Sequence, residues 1–577
     1  MEIKSITPAL SVAAQMQVQD FGIAASQGFK SIIYLRPDNE SNDQPAREEL
    51  QAAAEANGMS WAWIPVVPGQ ISDENIDEFG ALLNDLPGPV LSFCRTGTRA
   101  ATLWALVEAG KLSADKILEV TAAAGYDLSA LKGRLTTVSA DQDDSAPSVG
   151  RSHDVVIVGG GAGGLACASS LLKRQPDLDI AVIEPRSEHY YQPGWTLVGG
   201  GVFDRSKTVR PMVDYIPKEA TWYQTAAATF QPQHQAVTLE DGQVLGYKAL
   251  VVAPGLQLNW EAVKGLKEAL GSNGITSNYH YDMAPYTWEL VQSTRKGKAV
   301  FTQPPMPIKC AGAPQKAMYL SCDEWLRQGV LKDIDVDFCT ATPGLFGVKD
   351  YVPALMEYVK KYGINLNFQT NLVEVDAASK TAHFKQTNAE GEVSDIEKSF
   401  DMLHVCPPQK APDFIAKSPL ADAAGWVEVS PETMQHVTYG NIFAVGDAGN
   451  MPNAKTAAAV RKQAPVVAEN VLQVLKGHSP HAVYDGYGSC PLTVERGKIV
   501  LAEFGYGGKL LPSFPNWMLD GRKPTRAAWL MKEKMMPWLY YDAMMRGVEW
   551  LAEPKILPVS PAAHEASVAL DCNRDKK

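Results

Sequence analysis

The sequence predicts an α/β protein in two parts, a small N-terminal α/β domain followed by a larger region built around parallel sheets. Two strand–loop–helix units carry this prediction. The first is at residues 89–100, where an apolar strand runs directly into a cysteine-containing loop. In the second, residues 155–158 are predicted to form a buried strand, residues 162–173 a helix and residues 180–183 the next strand. Apolar strands alternating with helices are typical of parallel sheets.

The second unit contains a glycine motif with a defined physical role. Gly159, Gly161 and Gly164 have the G-x-G-x-x-G spacing. The first glycine makes a tight turn, the second lets a pyrophosphate approach the backbone, and the third lets the helix pack closely on the strand. Glu184 ends the following strand, where an acidic residue binds ribose hydroxyls. The sequence therefore predicts a dinucleotide site at these four residues.

Composition limits the class of protein. The chain has 577 residues, 45% hydrophobic and 20% charged, which is typical of a soluble protein with several domains. Its net charge of −12 argues against a general nucleic-acid binder. We expect no signal peptide and no membrane-spanning helix, because neither pattern occurs. The eight cysteines are scattered, so we expect neither a disulfide framework nor a metal site.

The N-terminal domain contains a cysteine loop. Cys94 follows the predicted strand, and a helix begins near Arg99. Such a loop surrounds the sulfur with backbone N–H groups, which favours a thiolate and binds anions. The region resembles the tyrosine-phosphatase/rhodanese-like group, and its C-x-x-G-x-R spacing is that of rhodanese-like sulfurtransferases, one residue shorter than in phosphatases. We expect Cys94 to carry sulfane sulfur and Arg99 to stabilise it, with a phosphatase or an inactive loop as alternatives.

Later segments extend the dinucleotide site. One predicted strand ends at Pro254 and Gly255, another ends at Gly446 and Asp447, and Lys455 opens the helix after it. In this order the segments resemble those that hold FAD in glutathione-reductase-like flavoproteins with two dinucleotide-binding domains. The resemblance implies that the Asp447 carboxylate binds a ribityl hydroxyl and that the helix N-terminus faces the pyrimidine end of the flavin. FAD is therefore the expected cofactor.

The second dinucleotide-type domain lacks a comparable glycine turn. Its predicted first strand, at residues 298–302, leads into the proline-rich stretch 303–314. Prolines restrict the loop and remove N–H donors, so we expect no pyrophosphate cradle there. This counts against an alternative function, that of a flavoprotein dehydrogenase supplied by NADH or NADPH.

Four segments resemble the sulfide:quinone oxidoreductases of the mitochondrial-type branch, and the match spans about residues 150–555. They are PIKCAGAPQK at 307–316, DMLHV-x-PP at 401–408, GD with KTAAAV within 446–460, and YDGY-x-SCPL at 484–492. The resemblance implies that Cys310 is one of two redox cysteines beside the flavin. By the same resemblance, sulfide would attack the bridged pair, sulfane sulfur would stay on one cysteine, and the electrons would pass through the flavin to a quinone.

The second redox cysteine is where this chain departs from the expected pattern. The resemblance puts it directly after the Gly-Asp pair, where the chain has Ala448. Cys406 is the nearest substitute, with a buried filler as the alternative, and Cys490 is assigned no chemistry. Without a partner, Cys310 would act alone on a persulfide or small thiol acceptor, with Cys94 as sulfur donor or recipient. A sulfane-sulfur carrier or sensor with structural FAD is a further alternative.

The C-terminal region predicts contact with a membrane. Residues 505–556 are rich in tryptophan and methionine, and basic side chains such as Lys532 and Lys534 accompany them. This combination is typical of helices lying in a headgroup region and suits a quinone acceptor. A core or a homo-oligomer interface is the alternative. We expect a cytoplasmic protein, peripheral on the inner membrane.

These features divide the chain into a cysteine-loop domain, a linker, two dinucleotide-type domains and a C-terminal region. Their expected bounds are, in that order, 1–137, 138–152, 153–296 with 401–480, 297–400, and 481–577.

Overall fold

In the computed structural model, the described residues are 3–7, 9–38, 40, 41, 44–67, 71–109, 112, 114–131, 135 and 147–557. They form two compact units, Met1–Ala146 and Pro147–Lys577. The boundary falls inside the expected linker, whose residues 138–146 lie outside the described residues, as do residues 558–577 of the expected C-terminal region. The predicted α/β fold class is confirmed.

The first unit is a five-stranded sheet with helices. Only the first two strands pair antiparallel, and the other pairs are parallel. In sheet order the strands are Ile3–Ser5, Leu10–Ala13, Val90–Phe93, Ser31–Tyr34 and Ser60–Trp63. The helices are Asp20–Ser26, Arg47–Ala56, Asp73–Asp85, Thr98–Glu108 and Ala114–Ala123. The strand before Cys94 is buried along its whole length, so the cysteine loop starts from the middle of the sheet.

The second unit contains two main sheets. The first is seven-stranded, with strands Thr221–Tyr223, Ile180–Ile183, Arg151–Val158, Val244–Val252, Ala236–Leu239 and Ala227–Gln231 in order, and Ile442–Ala444 paired with Val244–Val252. Its centre is parallel and fully apolar, because helices Ala162–Arg174 and Ala457–Leu475 pack together against it. The predicted strand–helix–strand unit is therefore observed, with the helix one residue longer than expected.

The second sheet is parallel and five-stranded, and a three-stranded antiparallel sheet follows it in the chain. The strands of the parallel sheet are Ile275–Thr276, Met402–His404, Gly297–Gln303, Ile334–Thr340 and Asn365–Asn367. Those of the antiparallel sheet are Thr370–Asp376, Thr381–Thr387 and Val393–Ser399. The longer helices here are Met283–Ser293, Ala313–Arg327 and Val352–Tyr362.

The C-terminal region begins with a hairpin, Gly488–Glu495 and Lys498–Phe504, which packs on helix Ala313–Arg327. A helical stretch then runs through Arg526–Leu530, Met531–Met535, Met536–Trp538, Leu539–Ala543 and Met544–Arg546, with π-helical turns in its second and fourth segments. Ser169 and Lys173 hold its end against helix Ala162–Arg174 through hydrogen bonds to main-chain carbonyls. Among the described residues, no helix combines the length and apolarity needed to cross a bilayer.

Candidate active site

A cavity of about 380 Å³ lies in the second unit, where strands Arg151–Val158, Val244–Val252 and Ile442–Ala444 end. Parallel strands bring their carboxyl ends to one edge of the sheet, so the residues after each strand share a wall. Seven of the nine predicted cofactor residues line it: Gly161, Glu184, Pro254, Gly255, Gly446, Asp447 and Lys455.

The other two, Gly159 and Gly164, build the turn beneath the cavity. Gly159 has φ of +105°, and a Cβ there would lie 2.5 Å from the Ala253 carbonyl oxygen. A Cβ on Gly164 would lie 1.8 Å from the Gly159 oxygen. Gly161 is different, because a Cβ there would meet only open space. The first and third glycines thus serve packing, and the second leaves backbone bare toward the cavity.

The acidic residue of the motif lies at the same wall. One oxygen of the Glu184 carboxylate accepts a hydrogen bond from the Gly160 N–H at 2.8 Å, and the other accepts from the Arg186 N–H at 2.9 Å. These bonds fix the carboxylate beside the glycine turn, at the position expected for ribose recognition.

Buried polar atoms on the wall fit a bound group. Among the described residues, Trp195 Nε1, Thr196 Oγ1 and both amide atoms of Asn278 have no hydrogen-bond partner, although all three residues line the cavity. Buried polar groups are normally hydrogen-bonded, so these atoms suit a ligand with polar edges. Lys455 Nζ donates to the Asp447 and Gly449 carbonyls, each at 2.8 Å, and these bonds fix the loop from Asp447 to Lys455. The residues present fit a flavin dinucleotide.

Cys310 lies on the same wall, in a strained loop. Its φ is +49°, and its N–H donates to the Lys455 carbonyl at 2.9 Å, which ties the loop to the segment from Gly446 to Lys455. Helix Ala313–Arg327 starts three residues later, and its first turn brings Lys316 Nζ to 3.1 Å from Cys310 Sγ. The Lys316 side chain is buried, so its charge acts on the sulfur with little screening from water.

Cys490, on the C-terminal hairpin, belongs to the apolar cluster against which Cys310 packs. Both are free thiols, and each interacts electrostatically with the other and with Lys316. Gly312 permits this approach, because a Cβ there would lie 2.5 Å from Cys490 Sγ. The hydrogen bond from Cys490, together with the Lys316 charge, holds the pKa of Cys310 well below its ordinary value, and the same bond raises the pKa of Cys490. Cys310 is therefore the thiolate and Cys490 keeps the proton.

A second buried lysine lies near the two thiols. Burial and the Lys316 charge lower the pKa of Lys532 to about 7, and its Nζ makes one hydrogen bond, to the Pro193 carbonyl at 3.3 Å. The expectation of a surface charge at Lys532 is wrong. The π-helical turn Met531–Met535 directs this side chain inward to the cavity, while Lys534 stays exposed.

The cysteine loop of the first unit has its own geometry. Cys94 is buried, and its sulfur accepts a hydrogen bond from the Gly97 N–H at 3.2 Å, just before helix Thr98–Glu108. Gly97 has φ of +85°, as the tight loop requires. Arg99 donates to the Val66 carbonyl at 2.7 Å and pairs with Glu40 at 2.8 Å, so its guanidinium is held in place.

Two family profiles match the chain. The phosphatase-like domain of beta-lactamase hydrolase-like proteins matches residues 2–111, and the pyridine nucleotide-disulphide oxidoreductase family matches residues 153–284. The mitochondrial sulfide:quinone oxidoreductase of Dictyostelium discoideum is 43% identical over 397 residues, covering 68% of this chain and 86% of that protein. The Mus musculus protein of the same name is 40% identical over 395 residues, with 68% and 87% covered. This chain belongs to the sulfide:quinone oxidoreductase family.

A solved family structure has the same fold. The sulfide:quinone oxidoreductase from Aquifex aeolicus superposes with a TM-score of 0.56 at 20% identity, covering 67% of this chain and 91% of that one. This likeness concerns the fold alone. Membership of the family makes the chain a flavin-dependent oxidoreductase, and the predicted family is confirmed.

Cys406 also lies near Cys310, in an apolar cluster with Tyr279 and Ile308 against which Cys310 packs. Cys406 is fully buried, and desolvation raises the pKa of its thiol to about 12. Its sulfur accepts a hydrogen bond from Gln409 Nε2 at 3.9 Å, and it interacts electrostatically with Lys309 and Cys310. Cys490, to which the sequence assigned no chemistry, lies in the SCPL segment at 489–492. The described residues contain no cluster suited to a metal ion.

Proposed function

We propose that this protein binds FAD, oxidises sulfide (or a persulfide) at Cys310 and Cys490, and delivers the electrons to a membrane quinone. The observation that supports this most directly is Cys310 on the cavity wall, with Lys316 Nζ 3.1 Å from its sulfur. A lysine so placed favours a thiolate, which is the reactive form of sulfur in exchange reactions.

The different pKa values of Cys310 and Cys490 indicate which of the two sulfurs hydrosulfide attacks. In a Cys310–Cys490 disulfide, the sulfur with the lower pKa leaves more readily as a thiolate, and that sulfur belongs to Cys310. Hydrosulfide therefore attacks the Cys490 sulfur, the S–S bond breaks, and Cys490 carries the persulfide while Cys310 leaves as the thiolate. A small thiol acceptor then takes the outer sulfur. The two cysteines give up two electrons and re-form their disulfide, so atoms and electrons balance.

The proposed FAD would be held by the cradle described above. Its pyrophosphate would contact Gly161, Glu184 would bind the ribose, and Asp447 and the N-terminus of helix Ala457–Leu475 would hold the flavin end. When bound, FAD supplies the two-electron acceptor that connects the cysteines to the quinone. Lys316 and Lys532 keep negative charge on sulfur at the cavity wall.

Membrane contact is proposed from the exposed side chains of the C-terminal region. Trp517 is 86% exposed, Trp538 53% and Trp550 51%, which is unusual for such large apolar groups. Together with Lys523 and Lys534 they would form a peripheral contact with the cytoplasmic face of an inner membrane. The fourth tryptophan of the region, Trp529, is not available, because it packs against the hairpin.

The N-terminal unit is proposed to transfer sulfur. Cys94 Sγ accepts a hydrogen bond from the Gly97 N–H at the N-terminus of helix Thr98–Glu108, which suits an anionic persulfide. A diffusible thiol could carry sulfur between the two sites in either direction. Persulfide mass on Cys94 after sulfide turnover supports this role, and rapid hydrolysis of phosphotyrosine contradicts it.

Rapid mixing under anaerobic conditions tests the main proposal. Sulfide should bleach the oxidised flavin within one turnover, and a quinone should restore its colour. Bleaching by NADH but not by sulfide would instead identify a pyridine-nucleotide dehydrogenase. Bleaching by neither would leave a carrier or sensor with structural FAD.

A further inference from the structure

Besides Lys316 and Lys532, a second group of polar side chains lies on the cavity wall. Glu503, on hairpin strand Lys498–Phe504, is 5% exposed. One of its carboxylate oxygens accepts the Tyr487 hydroxyl at 2.6 Å and the Ser513 hydroxyl at 2.5 Å, and the other accepts the Ser513 N–H at 3.2 Å. The Tyr487 and Ser513 hydroxyls are themselves 3.2 Å apart. Three side chains thus form a closed hydrogen-bonded network.

This network joins the cavity to the protein surface. Tyr487, Glu503 and Ser513 all line the cavity, and Ser513 is also exposed to solvent. The neighbouring wall is apolar, formed by Leu501, Phe514, Met531, Met535, Met536 and Leu539. An apolar pocket with one polar corner suits a ring with carbonyl groups, because the polar groups fix its orientation.

Quinone reduction needs protons as well as electrons. A quinone that gains two electrons takes up two protons to become a quinol. The apolar side chains of the cavity wall cannot donate these protons. We propose that Tyr487 and Glu503 are the proton donors of the quinone site, with Ser513 as the connection to solvent. This inference rests on the proposed function, since it concerns the acceptor of the same electrons.

The proton movements balance in each transfer. Tyr487 gives its phenolic proton to a quinone oxygen as that oxygen gains charge, and the O–H bond of the quinol forms. Glu503, protonated through Ser513 from water, returns a proton to the phenolate over the 2.6 Å contact. A second passage supplies the second proton. Burial and the Glu503 charge raise the pKa of Tyr487, so the phenol holds its proton at neutral pH until the quinone takes it.

The test separates electron transfer from proton transfer. The holoenzyme and its Glu503→Gln and Tyr487→Phe variants are reduced with stoichiometric dithionite, then mixed with either decylubiquinone or ferricyanide. Ferricyanide accepts electrons without protons. We expect both variants to be reoxidised by decylubiquinone about 100-fold more slowly than the wild type, the range for loss of a general acid, and by ferricyanide at the wild-type rate. Wild-type reoxidation by the quinone should slow in D₂O.

Tyr351→Phe is the matched control. The Tyr351 hydroxyl contacts the main chain of Glu503 and not its carboxylate. It accepts from the Glu503 N–H and donates to the Glu503 carbonyl, each at 3.0 Å. It should reoxidise at the wild-type rate with both acceptors. Wild-type rates with decylubiquinone in both test variants, equal slowing with ferricyanide, or no reaction of the wild type with quinone would each overturn the inference. Sulfide bleaching, measured separately, tests the oxidation of sulfide by itself.

Discussion

Lys316→Met tests how the structure activates Cys310. The substitution replaces a buried cation by an uncharged side chain of similar length, and it removes the hydrogen bond from Nζ to Cys310 Sγ at 3.1 Å. The Cys490 thiol remains as a donor to the same sulfur. The thiolate at Cys310 should therefore become less stable without being lost.

The size of the effect follows from the contact. Point charges at this distance with an effective dielectric constant near 20 interact by about 5 kcal/mol, which is an upper bound. A hydrogen bond to a charged group contributes about 1.5–3 kcal/mol. Taking about 2 kcal/mol, the thiolate population at mildly acid pH should fall roughly 30-fold, since about 1.4 kcal/mol is a factor of ten.

The assay is the rate of Cys310 alkylation by iodoacetamide in reduced protein, followed by peptide mass. We expect roughly 30-fold slower alkylation in Lys316→Met, and a much smaller change in Lys316→Arg, which keeps the charge. Thermal unfolding checks that each variant is folded. An alkylation rate in folded Lys316→Met within about twofold of the wild type would refute the assigned role of Lys316, because such a change is below 1 kcal/mol.

Three further outcomes are expected. Gly164→Ala should lose bound flavin and melt at a lower temperature, because its Cβ would lie 1.8 Å from the Gly159 oxygen. Cys94→Ser should leave sulfide bleaching of the flavin unchanged and lose persulfide mass from the first unit. Lys532→Met should abolish an inflection near pH 7 in Cys310 alkylation: the Lys532 pKa is about 7, so its positive charge favours the thiolate below that pH and is lost above it.

Each of these has a contradicting result. Full flavin content after Gly164→Ala would mean that the turn tolerates a side chain. Undiminished persulfide in the first unit of Cys94→Ser would assign sulfur transfer there to another group. An unchanged pH profile in Lys532→Met would show that the inflection belongs to a different ionisation.

The glycine turn and the cofactor wall were predictable from sequence because their signals are local. Gly159, Gly161 and Gly164 have fixed spacing, and each meets a distinct steric requirement in the structure. Strand ends in a parallel sheet must gather at one edge, so the order of the segments was enough to bring Pro254 and Asp447 to one cavity.

The thiol pair was not predictable in the same way. Cys490 reaches Cys310 only because a hairpin packs on helix Ala313–Arg327 and Gly312 leaves room for its sulfur. Such a contact between distant segments depends on tertiary packing, whereas the sequence offered Cys406 as the nearest candidate, with a buried filler as the alternative. Lys532 was misassigned for a related reason, since π-helical turns rotate side chains away from the face that a regular helix predicts.

The central claim is that Cys310 and Cys490 form the redox pair. Anaerobic sulfide titration of the wild type beside Cys310→Ser, Cys490→Ser and Cys406→Ser, followed by flavin absorbance, tests it most directly. We expect bleaching in the wild type and Cys406→Ser, and none in the other two variants. Normal bleaching in Cys490→Ser together with its loss in Cys406→Ser would contradict it.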